Sequence, residues 1–294
     1  MTGKPPGFTH TPYTGSYKPF TIGMNLLDPK DWIEVDARLP EYLKEKARLL
    51  AEDRDEVFRE EPATRAAQAE VLDLLLNHLP ARFPQIYRRD GRLMEVVPAG
   101  LHVDVEDESE APFVRAARLI QEDLVLMRKG EGGYRFAAGS VSFPSSWALK
   151  DKFGKTLDGL HTPVPGYADF LSGRVARIFE NLPADKPVWR MGWSLHPDNA
   201  LHHPVGHPWP EGELSPYVRL ERQTLRRLPI SGDVLFTIRI HIDPVAALKT
   251  HPEGARLAAG IKQEILGLSD GQAAYRSLLK DRARILAVLE SIER

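Results

Sequence analysis

There is no cysteine anywhere in the 294-residue chain. Disulfides, thiolate zinc sites, cysteine-ligated iron–sulfur clusters and thiolate-ligated haem are therefore excluded together, and any metal or redox chemistry must run on histidine, carboxylate or a borrowed cofactor. Neither sign of charge is in excess. The 39 Lys and Arg face 41 Asp and Glu, a formal net charge of −2, so no basic field exists to hold a polyanion by counterion release, which argues against nucleic acid as a partner. No apolar run approaches the roughly 20 residues of a membrane span, and Met1 to Pro6 lacks the apolar stretch of a signal peptide, so a cytoplasmic location is expected. G-x-G-x-x-G, P-loop and G-x-S-x-G patterns are absent too, so nicotinamide or flavin chemistry has to come from outside the chain.

What remains is ordinary globular material, 42% apolar and 27% charged, in a chain long enough to bury a core without staples. Residues 1–36 carry Pro5, Pro6, Pro12, Pro19 and Pro29 among scattered aromatics, which predicts an extended arm laid over the body. Residues 37–121 read as a helical part. Apolar spacing predicts amphipathic helices from Leu39 to about Arg59 and from Ala63 to Leu79, separated by Pro62 and closed by Pro80, and a further short helix from Pro112 to Gln121 after the acidic turn Asp104 to Glu110. Residues 122–244 change period. A β-hairpin is expected around the Gly130–Gly133 turn, from Leu124 to Met127 and from Tyr134 to Phe143. A helical or irregular middle follows, then strands at Val188 to Leu195, Tyr217 to Leu228 and Val234 to Ile242. Residues 245–294 return to helix and end in an uncapped amphipathic stretch from about Asp270. Two strands, a helical middle and three strands give an α+β fold whose order is that of a PAS-like antiparallel sheet with a ligand pocket under the helices. A generic α+β sandwich is the alternative.

Chemistry concentrates in two places. In Gly159-Leu160-His161-Thr162-Pro163-Val164-Pro165-Gly166-Tyr167 two prolines and a glycine fix the backbone directly after a histidine, which no ordinary helix tolerates. A rigid neutral imidazole there suits iron, for which a chain without cysteine has little else to offer; a histidine capping the helix that starts near Tyr167 is the plainer alternative. The second place is the strand pair Arg219 to Leu225 and Thr237 to Ile242. Alternation puts Arg219, Glu221 and Gln223 on one face, and a hairpin centred near Ser231 would set Glu221 opposite His241 and Gln223 opposite Arg239. Such a face is either solvated or lines a polar pocket for a small cation. His202, His203 and His207 sit in a proline-rich loop with no zinc-motif spacing, and Trp189, Trp193 and Trp209 read as core or pocket wall.

Several short runs, taken in order, are more specific than any one alone. These are Met24 to Asp28, Leu119 to Leu124, Phe143-Pro144-Ser145-Ser146-Trp147, His161 to Tyr167, Trp189-Arg190 with Trp193-Ser194-Leu195, Leu220 to Leu225 and Leu235 to Arg239. From about residue 20 to 250 the chain resembles the haem-dependent oxidative N-demethylase alpha-subunit family. The resemblance implies a PAS-type fold used for catalysis, with haem b on a histidine. Dioxygen is activated at the iron, and a small methylated amine such as dimethylamine is oxidised to a lower amine and formaldehyde. Electrons would come from NADPH through FMN and iron–sulfur centres on partner reductase subunits, and a folate-binding subunit would collect formaldehyde. It implies His161 as iron ligand, Tyr167, Trp193 and Arg222 as cofactor contacts, and Glu221, Gln223 and Arg239 as catalytic residues, with Arg239 assisting O–O cleavage. The competing classes are a PAS-type haem or small-ligand sensor, disfavoured because the last 50 or so residues look like capping or dimerising helices rather than an output domain, and a relative that kept the fold without haem.

Overall fold

The structure is a computed structural model and describes residues 8–15, 21–206 and 208–293. Among them, ten strands form two antiparallel sheets. In chain order they are β1 (Asn25–Leu26), β2 (Phe58–Glu60), β3 (Tyr87–Asp90), β4 (Leu93–Val96), β5 (Leu101–Asp104), β6 (Asp123–Gly130), β7 (Gly133–Ser140), β8 (Val188–His196), β9 (Tyr217–Arg227) and β10 (Val234–Pro244). The main sheet runs β1-β8-β9-β10-β6-β7-β2, and β3-β4-β5 make a small one. The fold is α+β. The five strands expected from residue 122 onward are β6 to β10, with ends shifted by a few residues. The three-stranded sheet at residues 87–104 is not apparent in the sequence pattern, because its strands are four residues each, too short for a period to show.

The helices are α1 (Leu39–Glu52), α2 (Arg54–Val57), α3 (Arg65–Arg82), α4 (Pro112–Ala117), α5 (Leu149–Lys152), α6 (Leu157–His161), α7 (Ser172–Asn181), α8 (Gly254–Leu266), α9 (Asp270–Tyr275) and α10 (Arg282–Glu293). Two expectations are corrected. Pro80 does not close α3 but lies within its last turn, where few backbone bonds remain for it to break. The C-terminal stretch is not uncapped: Ser269 and Gln272 form a capping box on α9. No helix among the described residues is long and apolar enough to cross a membrane.

The register of β9 and β10 fixes which side chains share a face. The turn Leu228 to Asp233 is closed by Leu228 N–H to Asp233 O at 2.8 Å and uses Gly232 at φ +75°. Its even length pairs Glu221 with Ile240, Arg222 with Arg239, Gln223 with Ile238 and Leu220 with His241. The pairing expected from a centre at Ser231 is thus off by one, and a one-residue change moves every side chain to the other face. One face carries Arg190, Ser194, His196, Arg219, Glu221, Gln223 and Leu225; the opposite face carries Trp193, Leu220, Arg222, Arg239 and His241.

Each face has its own cover. The segment from Val141 to Leu182 packs Leu149, Leu157, Phe179 and Leu182 against Val125, Leu225 and Val234. Across the opposite face, α8 and α10 pack with Tyr13 on Trp193, Leu195 and Leu220. There Gly260 lets the chain at Tyr13 lie against α8, since a Cβ would fall 2.2 Å from Tyr13 O. Residues 31–36, α1 and α3 complete the cover with a third apolar cluster.

The start of β6 ties these layers together through buried polar groups. Lys46 of α1 is 1% exposed, donates to Glu122 O and lies 3.9 Å from Asp123. Asp123 accepts from Ser142 N at 2.8 Å and Phe143 N at 2.9 Å, Glu122 from Glu34 N at 2.9 Å, and Gln121 from Asp36 N at 3.2 Å. Burial pushes the Lys46 ammonium down to about 8, with Asp123 and Glu122 opposing. Removing one partner of such a buried pair leaves the other charge and two backbone N–H groups without compensation. Asp123→Ala is therefore expected to lower unfolding free energy by about 3–5 kcal/mol, read from the urea midpoint. A loss under about 1 kcal/mol would show that the cluster is not a structural anchor.

Candidate functional site

His161 is the last residue of α6, a helix begun by Thr156, whose hydroxyl accepts from Gly159 N. The chain then passes Pro163 and Pro165, turns at Gly166 with φ +75°, and enters a π-helical turn, Tyr167–Leu171, ahead of α7. π-turns are rare and recur at functional sites. Here the turn brings the Tyr167 ring parallel to the imidazole, with centroids 4.4 Å apart and an 8° interplanar angle. The rigid segment after His161 therefore places an aromatic plate against the ring.

The hydrogen bonding of His161 fixes its tautomer. Nδ1–H donates to Leu157 O at 2.7 Å. A carbonyl only accepts, so the proton is on Nδ1, and in the neutral ring Nε2 carries the lone pair. Burial lowers the proton affinity of the ring, the Leu157 carbonyl opposes that, and the charges of Lys152 and Arg190 lower it further. Burial also pushes the Tyr167 phenol up to about 12, helped by Asp158. A concavity of about 610 Å³ is lined by residues of Asp158 to Ser172, His161 and Tyr167 among them, a size in the range of small-molecule and cofactor pockets. A neutral imidazole held by an outer hydrogen bond on Nδ1, with Nε2 left to donate, is the arrangement a metal-ligating histidine needs, so the residues present fit a haem iron.

The strand residues divide. Glu221 and Gln223 share the sheet face of Leu225, which packs on the Val141–Leu182 segment, and Gln223 Nε2 donates to Glu221 at 3.0 Å, but neither lines the concavity beside His161. Arg219 Nε lies 3.6 Å from Glu221, and its guanidinium donates to Phe143 O at 2.6 Å and Leu201 O at 3.1 Å. Arg222, Arg239 and Trp193 are on the other face. Arg222 is bound to Glu34 at 3.0 Å and to Trp32 O at 3.1 Å, Arg239 to Asp36 at 2.6 Å, and Trp193 Nε1 to Glu264 at 3.0 Å. The expected grouping of these three with His161 is corrected by the register: adjacent strand residues point oppositely, and each of the three is committed to the N-terminal or C-terminal cover.

His202 donates from Nδ1 to Ser142 O at 2.7 Å and His203 meets Asp198 at 2.9 Å; His207 lies outside the described residues. Sequence reasoning passed over His196. Buried at the end of β8, it contacts Ser145 Oγ at 3.3 Å and Ser194 Oγ at 3.1 Å, with the His203 ring 5.5 Å away. Alternation with Arg190 along β8 was the signal that could have found it. Ser146, at φ 61°, takes a conformation uncommon outside glycine, beside this hydrogen-bonded group.

Residues 23–286 match the family described as haem-dependent oxidative N-demethylase, alpha subunit-like. The chain belongs to that family. A haem-dependent oxidoreductase of the N-demethylase type agrees with a chain that has no thiolate and whose candidate iron ligand is an imidazole.

The electrostatics of His161 are open to direct measurement in the haem-free protein. The imidazole is expected to titrate below its ordinary value of about 6.5, and Lys152→Met is expected to raise it, since Lys152 disfavours the charged ring. Imidazole NMR across pH 4–8 reads both. A midpoint at or above about 6.5 in the unaltered protein would contradict the burial and charge assigned here.

Proposed function

We propose that the chain is the catalytic subunit of a haem-dependent oxidative N-demethylase acting on a small methylated amine, with the PAS-like sheet and its helical cover forming the haem chamber. The observation that carries this reading is the His161 imidazole, whose Nδ1 is spent on Leu157 O and whose Nε2 is left for iron. Haem b would be held by Nε2, with the Tyr167 ring stacked on the imidazole to fix its plane. Bound there, haem supplies dioxygen activation from an imidazole-ligated iron.

The rest falls to side chains of the chain. A dialkylamine is a cation at neutral pH, and Glu221 is a half-buried carboxylate on the sheet face of Leu225, which packs on the Val141–Leu182 segment. Glu221 binds and orients the ammonium, and Gln223 fixes the carboxylate by donating to it. Arg219 lies 3.6 Å from the same carboxylate and helps hold it in place. The net reaction, R–NH–CH3 + O2 + 2 e⁻ + 2 H⁺ → R–NH2 + HCHO + H2O, consumes two protons, for which His196 and its serine partners supply a hydrogen-bonded route to the same face. The two electrons come from NADPH through FMN and iron–sulfur centres on partner reductase subunits, because the chain has neither cysteine nor a nucleotide motif. A folate-binding subunit to take up formaldehyde and a cytoplasmic setting complete the proposal.

Haem-loaded protein supplied with a reductase, dioxygen and dimethylamine is expected to release formaldehyde in proportion to amine consumed. In Glu221→Gln the KM for the amine is expected to rise about 10–100-fold, the loss of one charged contact, with the Soret band unchanged. Formaldehyde that does not depend on amine, or an unchanged KM in the variant, would refute the assignment.

A further inference from the structure

On the sheet face remote from His161, three side chains from separate parts of the chain converge: His10 of the N-terminal segment, Glu34 ahead of α1, and His241 of β10. His10 Nε2 lies 3.0 and 3.1 Å from the two Glu34 oxygens, and His241 Nε2 lies 3.1 Å from Glu34 Oε2. One nitrogen of each imidazole and one carboxylate oxygen all fall within 4.8 Å of one another, the one such group of three among the described residues. We infer that these residues form a binding site for a divalent first-row metal ion of the zinc type, distinct from the haem site.

The spacing is what coordination requires. Donors about 2.0–2.2 Å from a tetrahedral ion lie about 3.3 Å from each other, and both imidazole nitrogens already sit at nearly that distance from the carboxylate. Two histidines and a glutamate are a recurrent zinc set that leaves one position for water or an anion. An outer partner orients the carboxylate, as metal sites demand. Arg222 Nε donates to Glu34 Oε1 at 3.0 Å, which leaves Oε2 toward the histidines. Asp36 lies 4.0 Å from His241 Nδ1, on the far side of the ring from Glu34. Arg239 takes up the charge of Asp36 at 2.6 Å. The His10 and His241 rings meet edge to face at 5.3 Å, so both present Nε2 to one point. His241 is 7% exposed, whereas His10 and Glu34 are half-buried, giving an ion a path from solvent. An ion there would fasten residues 8–15 to the sheet at the end of β10.

The test is a titration of the full chain, stripped with a chelator, using Zn²⁺ followed by calorimetry and Co²⁺ followed by its visible absorption. One equivalent is expected to bind, in haem-free and haem-loaded protein alike, and to raise the melting temperature. His10→Ala, which spares the sheet, and Glu34→Gln are each expected to weaken binding by more than the roughly 10–100-fold that loss of an outer partner of a ligand costs; His202→Ala leaves it unchanged. No binding by the unaltered protein, binding undiminished in both variants, or competition between zinc and haem would each overturn the site. In that event the histidines serve only as hydrogen-bond donors to Glu34.

Discussion

Everything in this molecule hangs on how the residues that lead into β6 are held. Gln121, Glu122 and Asp123 are fully buried, and together they accept from backbone N–H groups of two separate lengths of chain: Gln121 and Glu122 from the segment before α1, Asp123 from the bend that starts the helical middle. Lys46 closes the set from α1. Buried charges are tolerable only when paired and hydrogen-bonded, so the interior strand β6, the N-terminal cover and the first turn toward His161 must adopt their places together. The cost of error here is high, and that is what makes the arrangement unique.

From that anchor the sheet acquires two dissimilar faces. The strand period of two means that neighbours in β9 belong to different chemistries: Glu221 and Gln223 share the face of Leu225, while Arg222 is locked to Glu34 and stacked near Trp189. The guanidinium groups of Arg222 and Arg239 are thus fasteners for the segment before α1. The His161 side instead combines the imidazole, under the charges of Lys152 and Arg190, with the Glu221–Gln223 pair and Arg219.

The sequence period made the strands legible and their pairing only nearly so. β8, β9 and β10 show in the alternation of apolar residues, but the face shared by Glu221 depended on the length of the Leu228–Asp233 turn. That turn is closed by a single backbone pair and carries a left-handed glycine. One residue of error there exchanged Arg239 and His241 for two isoleucines. His161 stood out because prolines and a glycine at fixed positions are local constraints that need no tertiary knowledge. His196 and the His10–Glu34–His241 group did not, since their partners lie 51, 24 and 207 residues away in sequence. Contacts of that range leave no periodic mark. The same is true of Lys46, a helix lysine that is among the most buried side chains.

The proposal that His161 would hold the haem iron is tested most directly by His161→Gly with and without added imidazole. The glycine protein should bind haem weakly and lack the Soret band of an imidazole-ligated iron, and millimolar imidazole should restore that band by filling the space left beside Tyr167. A variant that keeps full haem loading and an unshifted Soret band without imidazole would place the iron on another residue.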